Sequence, residues 1–138
     1  MNVRFLIFAL VMLLAGCNRQ GDAQARKNLP GTWTLVADGK NPKSTIIVDP
    51  NGDYICEVIA QSSWDGVTRT YNLAGRWEVR DGILIDTMTK NSSTNARLPM
   101  ISRSRIVRSD RRELVINVET NSSGDFLTNE VVFRKEIK

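Results

Sequence analysis

Residues 67–89 read VTRTYNLAGRWEVRDGILIDTMT and carry the pattern that decides the fold. In the first half, positions 73, 75, 77 and 79 are apolar or glycine, while positions 76, 78 and 80 are charged. Alternation with a period of two is typical of a half-buried β-strand. Asp81-Gly82 follows, and this dipeptide favours the positive φ angles of a tight hairpin. The stretch therefore predicts a hairpin of two strands, 67–80 and 83–89.

The same pattern of short alternating runs and turn residues extends from Leu29 to the end of the chain. Turn residues occur at Pro50-Asn51-Gly52-Asp53, Asp65-Gly66, Ser109-Asp110 and Asn121–Asp125, and the polar stretch 90–99 is predicted to be a loop. About eight strands are predicted, at 31–37, 44–49, 53–61, 67–80, 83–89, 100–108, 112–120 and 126–135. The domain is therefore predicted to be all-β, a single antiparallel meander. Closing a meander removes its exposed edges, which favours a small barrel, with a β-sandwich as the alternative.

The first sixteen residues have the parts of an export signal. Arg4 precedes an unbroken apolar run from Phe5 to Ala15, and Gly16 and Cys17 follow it. As a helix, residues 5–16 would span about 18 Å, whereas the hydrocarbon core of a bilayer is about 30 Å thick. The run is therefore too short for a transmembrane anchor, and a cleaved signal is predicted.

Leu14-Ala15-Gly16-Cys17 resembles the lipobox of bacterial lipoproteins at all four positions. The resemblance implies a signal peptide at 1–16, lipid on the Cys17 thiol, and acylation of the new amino terminus, which together give stable membrane anchoring. Residue 18 is Asn rather than Asp, which implies the outer membrane, facing the periplasm. The polar residues from Asn18 to Asn28 are predicted to be a flexible tether of roughly 36–40 Å when fully extended. The chain thus divides into 1–16, 17–28 and a domain at 29–138.

Leu29-Pro30-Gly31-Thr32-Trp33 resembles the G-x-W motif of lipocalins and of bacterial lipocalin-like lipoproteins. Gly75-Arg76-Trp77, followed by Asp81-Gly82-Ile83-Leu84, resembles a mid-domain pattern of the latter group. The resemblance covers most of residues 29–136 and implies an eight-stranded barrel. In the family, an arginine near the end of the last strand packs across the first-strand tryptophan. The resemblance therefore implies that Arg134 packs on Trp33.

The residue inventory excludes most catalytic chemistry. The chain has no histidine, which excludes His–carboxylate triads and His-ligated zinc. Most carboxylates fall in turns, and Asp86 and Glu119 are predicted to lie on the polar face of their strands. Cys17 and Cys56 are the two cysteines, so lipid on the first leaves Cys56 as a buried, unpaired thiol. We therefore expect no catalytic residue, no metal site and no cofactor, in a protein that is not an enzyme.

Two groups of side chains bear on binding. Four bulky residues are predicted to face inward, and they either fill the barrel as core or line a pocket: Trp33, Tyr54, Trp77 and Phe133. Five arginines cluster on one predicted strand and its turn: Arg103, Arg105, Arg108, Arg111 and Arg112. This basic strand is either a solvated edge strand guarded by charge or a surface for lipid headgroups, lipopolysaccharide phosphates or an acidic protein.

The sequence thus predicts a lipid-anchored protein of the cell envelope whose barrel binds a small apolar or amphipathic ligand. The alternative is an accessory protein that docks on an envelope assembly, or inhibits an envelope enzyme, through its outer face. The expected partners are the membrane and either a small hydrophobic ligand or an envelope protein. Nucleic acid is not expected, because an exported protein does not meet it. The net charge of +4 is too small to favour one partner.

Cys17→Ser is expected to move the protein from the detergent phase to the aqueous phase in a Triton X-114 partition, because the variant cannot receive the thioether-linked lipid. Cys56→Ser is the matched control and should stay in the detergent phase. A Cys17→Ser protein that still partitions with detergent would show that lipid on Cys17 is not the anchor.

Overall fold

The computed structural model describes residues 21–36, 43–62, 64–93, 97–120 and 130–137. Its eight strands form a closed antiparallel barrel in which each strand pairs with the next and β8 pairs with β1. The strands are β1 (Gly31–Leu35), β2 (Lys43–Val48), β3 (Asp53–Gln61), β4 (Thr68–Arg80), β5 (Ile83–Asn91), β6 (Met100–Ser109), β7 (Glu113–Thr120) and β8 (Glu130–Lys135). The predicted all-β meander barrel is confirmed, and the β-sandwich alternative is wrong because the first and last strands join.

The predicted hairpin at 67–89 is present as β4 and β5. Arg80 pairs with Ile83, and only Asp81 and Gly82 lie between them, with φ angles of 53° and 74°. Two successive positive φ angles match the right-handed twist of the flanking strands, which is why Asp-Gly is favoured there. The closing pair of strands, β1 and β8, aligns Trp33 with Lys135 and Leu35 with Phe133.

The two ends of the barrel differ in the length of their connections. Three short turns join β2 to β3, β4 to β5 and β6 to β7 at one end, which we call the helix end. The other four connections, which follow β1, β3, β5 and β7, have six to nine residues and lie at the opposite end, which we call the loop end. In a meander, alternate connections necessarily fall at opposite ends. The helix end and the loop end of the barrel therefore differ in structure, since short turns form one and longer connections form the other.

The prediction of a flexible tether over Asn18–Asn28 is wrong where the structure describes it, because residues 21–28 are helical and packed on the helix end. The Asp22 carboxylate accepts hydrogen bonds from the backbone N–H groups of Asp81 (2.7 Å) and Gly82 (2.8 Å). The Arg26 guanidinium donates to the carbonyl of Val79 (2.8 and 3.1 Å). The Asn28 amide donates to the carbonyl of Ser109 (3.2 Å).

The helix escapes prediction because its packed face is partly polar. Asp22, Ala25, Asn28 and Leu29 are buried, at a spacing that fits one face of a helix. Two of the four are polar, so no apolar stripe appears in the sequence. They are satisfied by backbone groups of the barrel turns, which are distant along the chain.

Trp33 is completely buried beneath this helix, and its indole N–H donates to the carbonyl of Leu29 (2.7 Å). The Lys135 ammonium lies 4.9 Å from the centroid of the Trp33 ring and donates to the carbonyl of Asn28 (2.6 Å). Gly31 makes room for this lysine, because a Cβ at Gly31 would collide with the Lys135 side chain. The Gly-x-Trp spacing therefore places a residue without a side chain next to the buried Trp33 ring, and the Lys135 side chain uses that space.

The role implied for Arg134 is wrong by one residue. Arg134 pairs with Thr34 and points outward, where its side chain is 69% exposed and lies 3.8 Å from the Glu113 carboxylate. Side chains alternate along a strand, so the inward position beside Trp33 belongs to its register partner Lys135. A lysine thus makes the cation–π contact that the resemblance implied for an arginine.

No helix in the described ranges is long and apolar enough to cross a membrane. The predicted signal peptide, Cys17, and residues 18–20 of the predicted tether lie outside the described residues, as does the predicted turn at Asn121–Asp125.

Asp22→Ala is expected to lower the free energy of unfolding by about 2 kcal/mol, because it leaves two backbone N–H groups at the Asp81-Gly82 turn without an acceptor. Urea denaturation followed by far-UV circular dichroism measures the change. Lys27→Ala, on the exposed face of the same helix, is the matched control. If the two variants are equally stable, the helix does not contribute to the fold in the way described.

Candidate functional site

Aromatic side chains fill the half of the barrel interior nearest the helix end. Trp33, Tyr54, Trp77 and Phe133 are all buried. The ring centroids of Tyr54 and Trp77 are 5.7 Å apart, and those of Trp77 and Phe133 are 6.0 Å apart. These tilted and edge-on contacts are the geometry that aromatic rings prefer in cores. The prediction that the four residues face inward is confirmed, and they form packed core rather than the wall of a pocket.

The half of the interior nearest the loop end differs, because its inward side chains are partly exposed. Residues on the same face of the barrel wall are identified by the alternation along each strand and by the register between strands. The partly exposed inward residues here include Leu35, Val58, Ala60, Tyr71, Leu73, Met88, Asn91, Met100, Ser102, Val118 and Val131. We call this set the loop-end cup. Its surface is largely apolar, and its two methionines are flexible side chains that adapt to shape.

A polar group lies between the aromatic core and the loop-end cup. The Tyr54 hydroxyl donates a hydrogen bond of 2.9 Å to an oxygen of the Asp86 carboxylate. Trp77 and Asp86 are register partners on β4 and β5, and Asp86 and Ser102 are partners on β5 and β6. The carboxylate is therefore on the inner wall of the barrel.

The prediction that Asp86 lies on the polar outer face is wrong. The run Ile83-Leu84-Ile85 is apolar throughout, so it contains no alternation from which the register of β5 could be read. The structure places Leu84 inward and fully buried, which brings Asp86, two residues later, to the same face. The predicted outward position of Glu119 is confirmed by its ion pair with Arg105.

Burial changes the acid–base properties of this group. It raises the pKa of Asp86 above the ordinary value of 3.8, while the hydrogen bond from Tyr54 and the neighbouring Trp77 side chain oppose that shift. Burial, together with the nearby Asp86 carboxylate, also raises the pKa of the Tyr54 hydroxyl well above its usual range. Tyr54 is therefore a stable hydrogen-bond donor. No lysine or arginine among the described residues forms an ion pair with Asp86.

Cys56 is buried on the inward face of β3, as the alternation predicts. Burial, followed by the influence of Asp86 and Glu57, raises the pKa of its thiol to about 11. The thiol is therefore protonated at neutral pH, and a protonated thiol is a poor nucleophile.

Gly75 provides the space for the Tyr54 hydroxyl. A Cβ at this position would lie 2.9 Å from the hydroxyl oxygen and 2.8 Å from the Cα of Met88, and it would collide with the carbonyl of Thr87. The β4–β5 register also shifts between Ala74 and Gly75, which marks a β-bulge. The glycine of the predicted Gly-x-Trp pattern at 75–77 is therefore required by the close approach of β3 and β5.

The arginines of the cluster are exposed: Arg103, Arg105 and Arg108 lie on β6, and Arg111 and Arg112 lie in the turn that follows it. Arg105 pairs with Glu119 (2.7 Å), and Arg108 pairs with Glu113. The prediction of a solvated edge strand is wrong, because β6 lies between β5 and β7 in a closed sheet. Within the described ranges, Arg103, Arg111 and Arg112 form no ion pair. Paired and exposed guanidinium groups of this kind solvate the surface and contribute little to stability.

An apolar groove of about 600 Å³ lies on the outer face of β2, β3 and β4. Ile47 and Ile55 are register partners on its wall, with exposed fractions of 48% and 60%. Thr45, Glu57, Asn72 and Lys90 also line the groove. Neither the groove nor its two isoleucines was singled out from the sequence, although their outward positions follow from the alternation of β2 and β3.

No group of three or more potential metal ligands occurs among the residues that the structure describes. A scan against protein-family models finds no match to this chain, and a search of curated proteins finds no similar sequence. The candidate site is therefore interpreted from its own residues: a half-exposed apolar cup with a carboxylate at its inner end.

Proposed function

We propose that this protein is a lipid-anchored lipoprotein of the cell envelope whose barrel binds a small apolar or amphipathic ligand in the loop-end cup. The exposure of inward-facing apolar side chains carries this proposal. Val58, Leu73, Met88, Val118 and Val131 face the barrel interior but remain partly exposed. A ligand that covered them would gain about 25 cal/mol for each Å² of apolar surface removed from water.

The filled aromatic core limits the size of the ligand. An eight-stranded barrel has an interior just wide enough to be filled by side chains or to hold one small ligand. Here, buried side chains fill the helix-end half, whereas the inward side chains of the loop-end cup remain partly exposed. We therefore propose a short ligand bound near the loop end, in contact with Met88 and Leu73, rather than one that passes through the barrel.

The proposed location rests on the first eighteen residues. The lipobox resemblance of Leu14-Ala15-Gly16-Cys17 supports lipid on Cys17, and Asn18 supports the outer membrane, facing the periplasm. We propose binding rather than catalysis, because Asp86 is the one carboxylate described beside the cup and the thiol of buried Cys56 is protonated. General acid–base or nucleophilic chemistry requires a pair of cooperating groups.

A second candidate function is docking to an envelope protein through the outer face. The exposed pair Ile47 and Ile55 beside the outer groove favours it, since apolar side chains paired on an outer strand face gain from being covered. Binding in the cup is preferred, because the cup combines apolar walls with a partly exposed carboxylate, Asp86, that can orient a ligand.

The cup can be tested with N-phenyl-1-naphthylamine, a neutral apolar dye that fluoresces when it leaves water. The mature chain from residue 17, carrying Cys17→Ser, contains the whole helix and barrel. Met88→Arg is expected to weaken dye binding at least about tenfold, because it places a charge in the cup. Native mass spectrometry of the same protein should also detect co-purified small molecules.

Thr87→Arg is the matched control, because Thr87 is the preceding residue on β5 and faces outward. It should leave dye binding unchanged, and circular dichroism should show that both variants are folded. Equal binding by the two variants would exclude the cup as the site. Loss of binding by Ile55→Arg instead would favour the outer groove.

A further inference from the structure

Asp86 is a charged side chain on an otherwise largely apolar part of the inner wall. It lies between fully buried Leu84 on the helix side and partly exposed Met88 on the loop side of the same strand. Asp86 itself is partly exposed, and it shares the inward face of β5 with Met88 of the cup. An apolar residue at this position would continue the apolar inner wall. A carboxylate there needs hydrogen-bond donors or a positive charge.

The neighbours of Asp86 supply hydrogen bonds but no positive charge. The Tyr54 hydroxyl contacts the carboxylate as a neutral donor. A carboxylate has two oxygens and about four acceptor directions, so one such donor leaves acceptor capacity unused. No described lysine or arginine pairs with Asp86. A carboxylate in such surroundings is favoured by a cation that also donates a hydrogen bond.

We infer that the ligand of the loop-end cup is an amphipathic molecule with a protonated amine, which binds the Asp86 carboxylate while its apolar part contacts Leu73 and Met88. This inference rests on the proposed function, since it names the ligand class of the same cup. Burial raises the pKa of Asp86, and the cationic amine provides the opposite charge that favours the ionised carboxylate. An anionic amphiphile is disfavoured by the same charge.

The test uses three probes with the same chain length: octylamine, octanol and octanoate. Isothermal titration calorimetry on the mature Cys17→Ser protein at pH 7 measures their dissociation constants. Octylamine is expected to bind about tenfold more tightly than octanol, and octanoate more weakly than both, because the three head groups differ chiefly in charge. This comparison uses an unaltered cup and does not depend on whether a variant folds.

Asp86→Asn should abolish the preference for octylamine over octanol and leave octanol affinity unchanged. Thr87→Asn is the matched control, because Thr87 is the next residue on β5 and faces outward. It should retain the preference. Equal affinities of the unaltered cup for octylamine and octanol, or an unchanged preference in Asp86→Asn, would overturn the inference while leaving the cup as a binding site. Failure of all three probes and of the naphthylamine dye would overturn the proposed function as well.

A second inference follows from the helix at residues 21–28, which shortens the connection between Cys17 and the folded domain. Three residues, 18–20, lie between Cys17 and the first described residue of this helix. Four Cα–Cα steps can reach at most about 15 Å, compared with the roughly 36–40 Å predicted for an eleven-residue tether. The helix is joined to the barrel turns through Asp22 and Asn28, at the end opposite the cup.

We infer that the lipidated protein holds its helix end against the membrane, with the loop-end cup directed away from it. This orientation rests on the proposed lipid at Cys17. The strands of nine or ten residues, tilted by about 40° in a barrel of this size, make it roughly 20 Å tall. That height separates the two ends clearly. A ligand would therefore enter the cup from the aqueous side and not directly from the anchoring leaflet.

The orientation is measured by fluorescence quenching on vesicles of phosphatidylethanolamine and phosphatidylglycerol that contain a nitroxide-headgroup lipid. Two single-label proteins, purified with their native lipid in a Cys56→Ser background, carry the fluorophore at Asp110→Cys or Trp64→Cys. Asp110 is in the helix-end turn after β6, and Trp64 is 98% exposed in the loop-end connection after β3.

The Asp110 label is expected to be quenched several-fold more strongly than the Trp64 label, because quenching by the headgroup nitroxide acts over a short range. Equal quenching, or stronger quenching at Trp64, would overturn the orientation. Failure of the purified protein to float with the vesicles would instead overturn the lipid anchor and, with it, the orientation.

Discussion

Burial of Trp33 is the constraint on which the rest of the structure depends, because three separate parts of the chain meet at this ring. Its indole N–H is satisfied by the carbonyl of Leu29, just beyond the helix at residues 21–28. The Lys135 ammonium lies over the ring from β8 and bonds to the carbonyl of Asn28. The same contacts therefore hold the helix, close the sheet between β1 and β8, and cover the helix end of the barrel. A smaller or polar residue at position 33 would remove the common partner of all three parts.

Closing one end in this way determines how the interior can be used. The aromatic contacts of Tyr54, Trp77 and Phe133 continue inward from the closed end and fill about half of the interior. The inward residues nearer the loop end lack such bulky partners and stay partly exposed. Asp86 lies where these two regions meet, with Tyr54 and Trp77 belonging to the core and Met88 to the cup. The carboxylate is therefore bonded to the core through Tyr54 and lies beside the cup, which is the arrangement expected of a group that orients a ligand.

The helix at residues 21–28 connects the fold to the proposed location of the protein. Because it packs on the closed end, a lipid only a few residues upstream would place that end near the membrane and leave the cup in the aqueous compartment. The outer face then remains available on all sides, and its arginines are largely paired or solvated. The apolar pair Ile47 and Ile55 is the outer feature that a protein partner would cover. Ligand binding and docking would therefore use different surfaces of one small barrel.

The sequence by itself determined the all-β class, seven of the eight strand positions to within two residues, the inward set of aromatic residues, and the tight turn at Asp81-Gly82. These properties follow from local physics, namely the period-two alternation and the φ angles that glycine and aspartate tolerate. The helix over residues 21–28, the exchange of Arg134 for Lys135 beside Trp33, and the inward position of Asp86 were decided only by the tertiary structure. In each case a polar side chain is satisfied by groups that are distant along the chain, such as the Asp81-Gly82 turn for Asp22 and the Tyr54 hydroxyl for Asp86. No local sequence pattern identifies these distant partners. The hydropathy of the polar residues predicts that they are exposed, and the hydrogen bonds that permit their burial form only when the barrel closes.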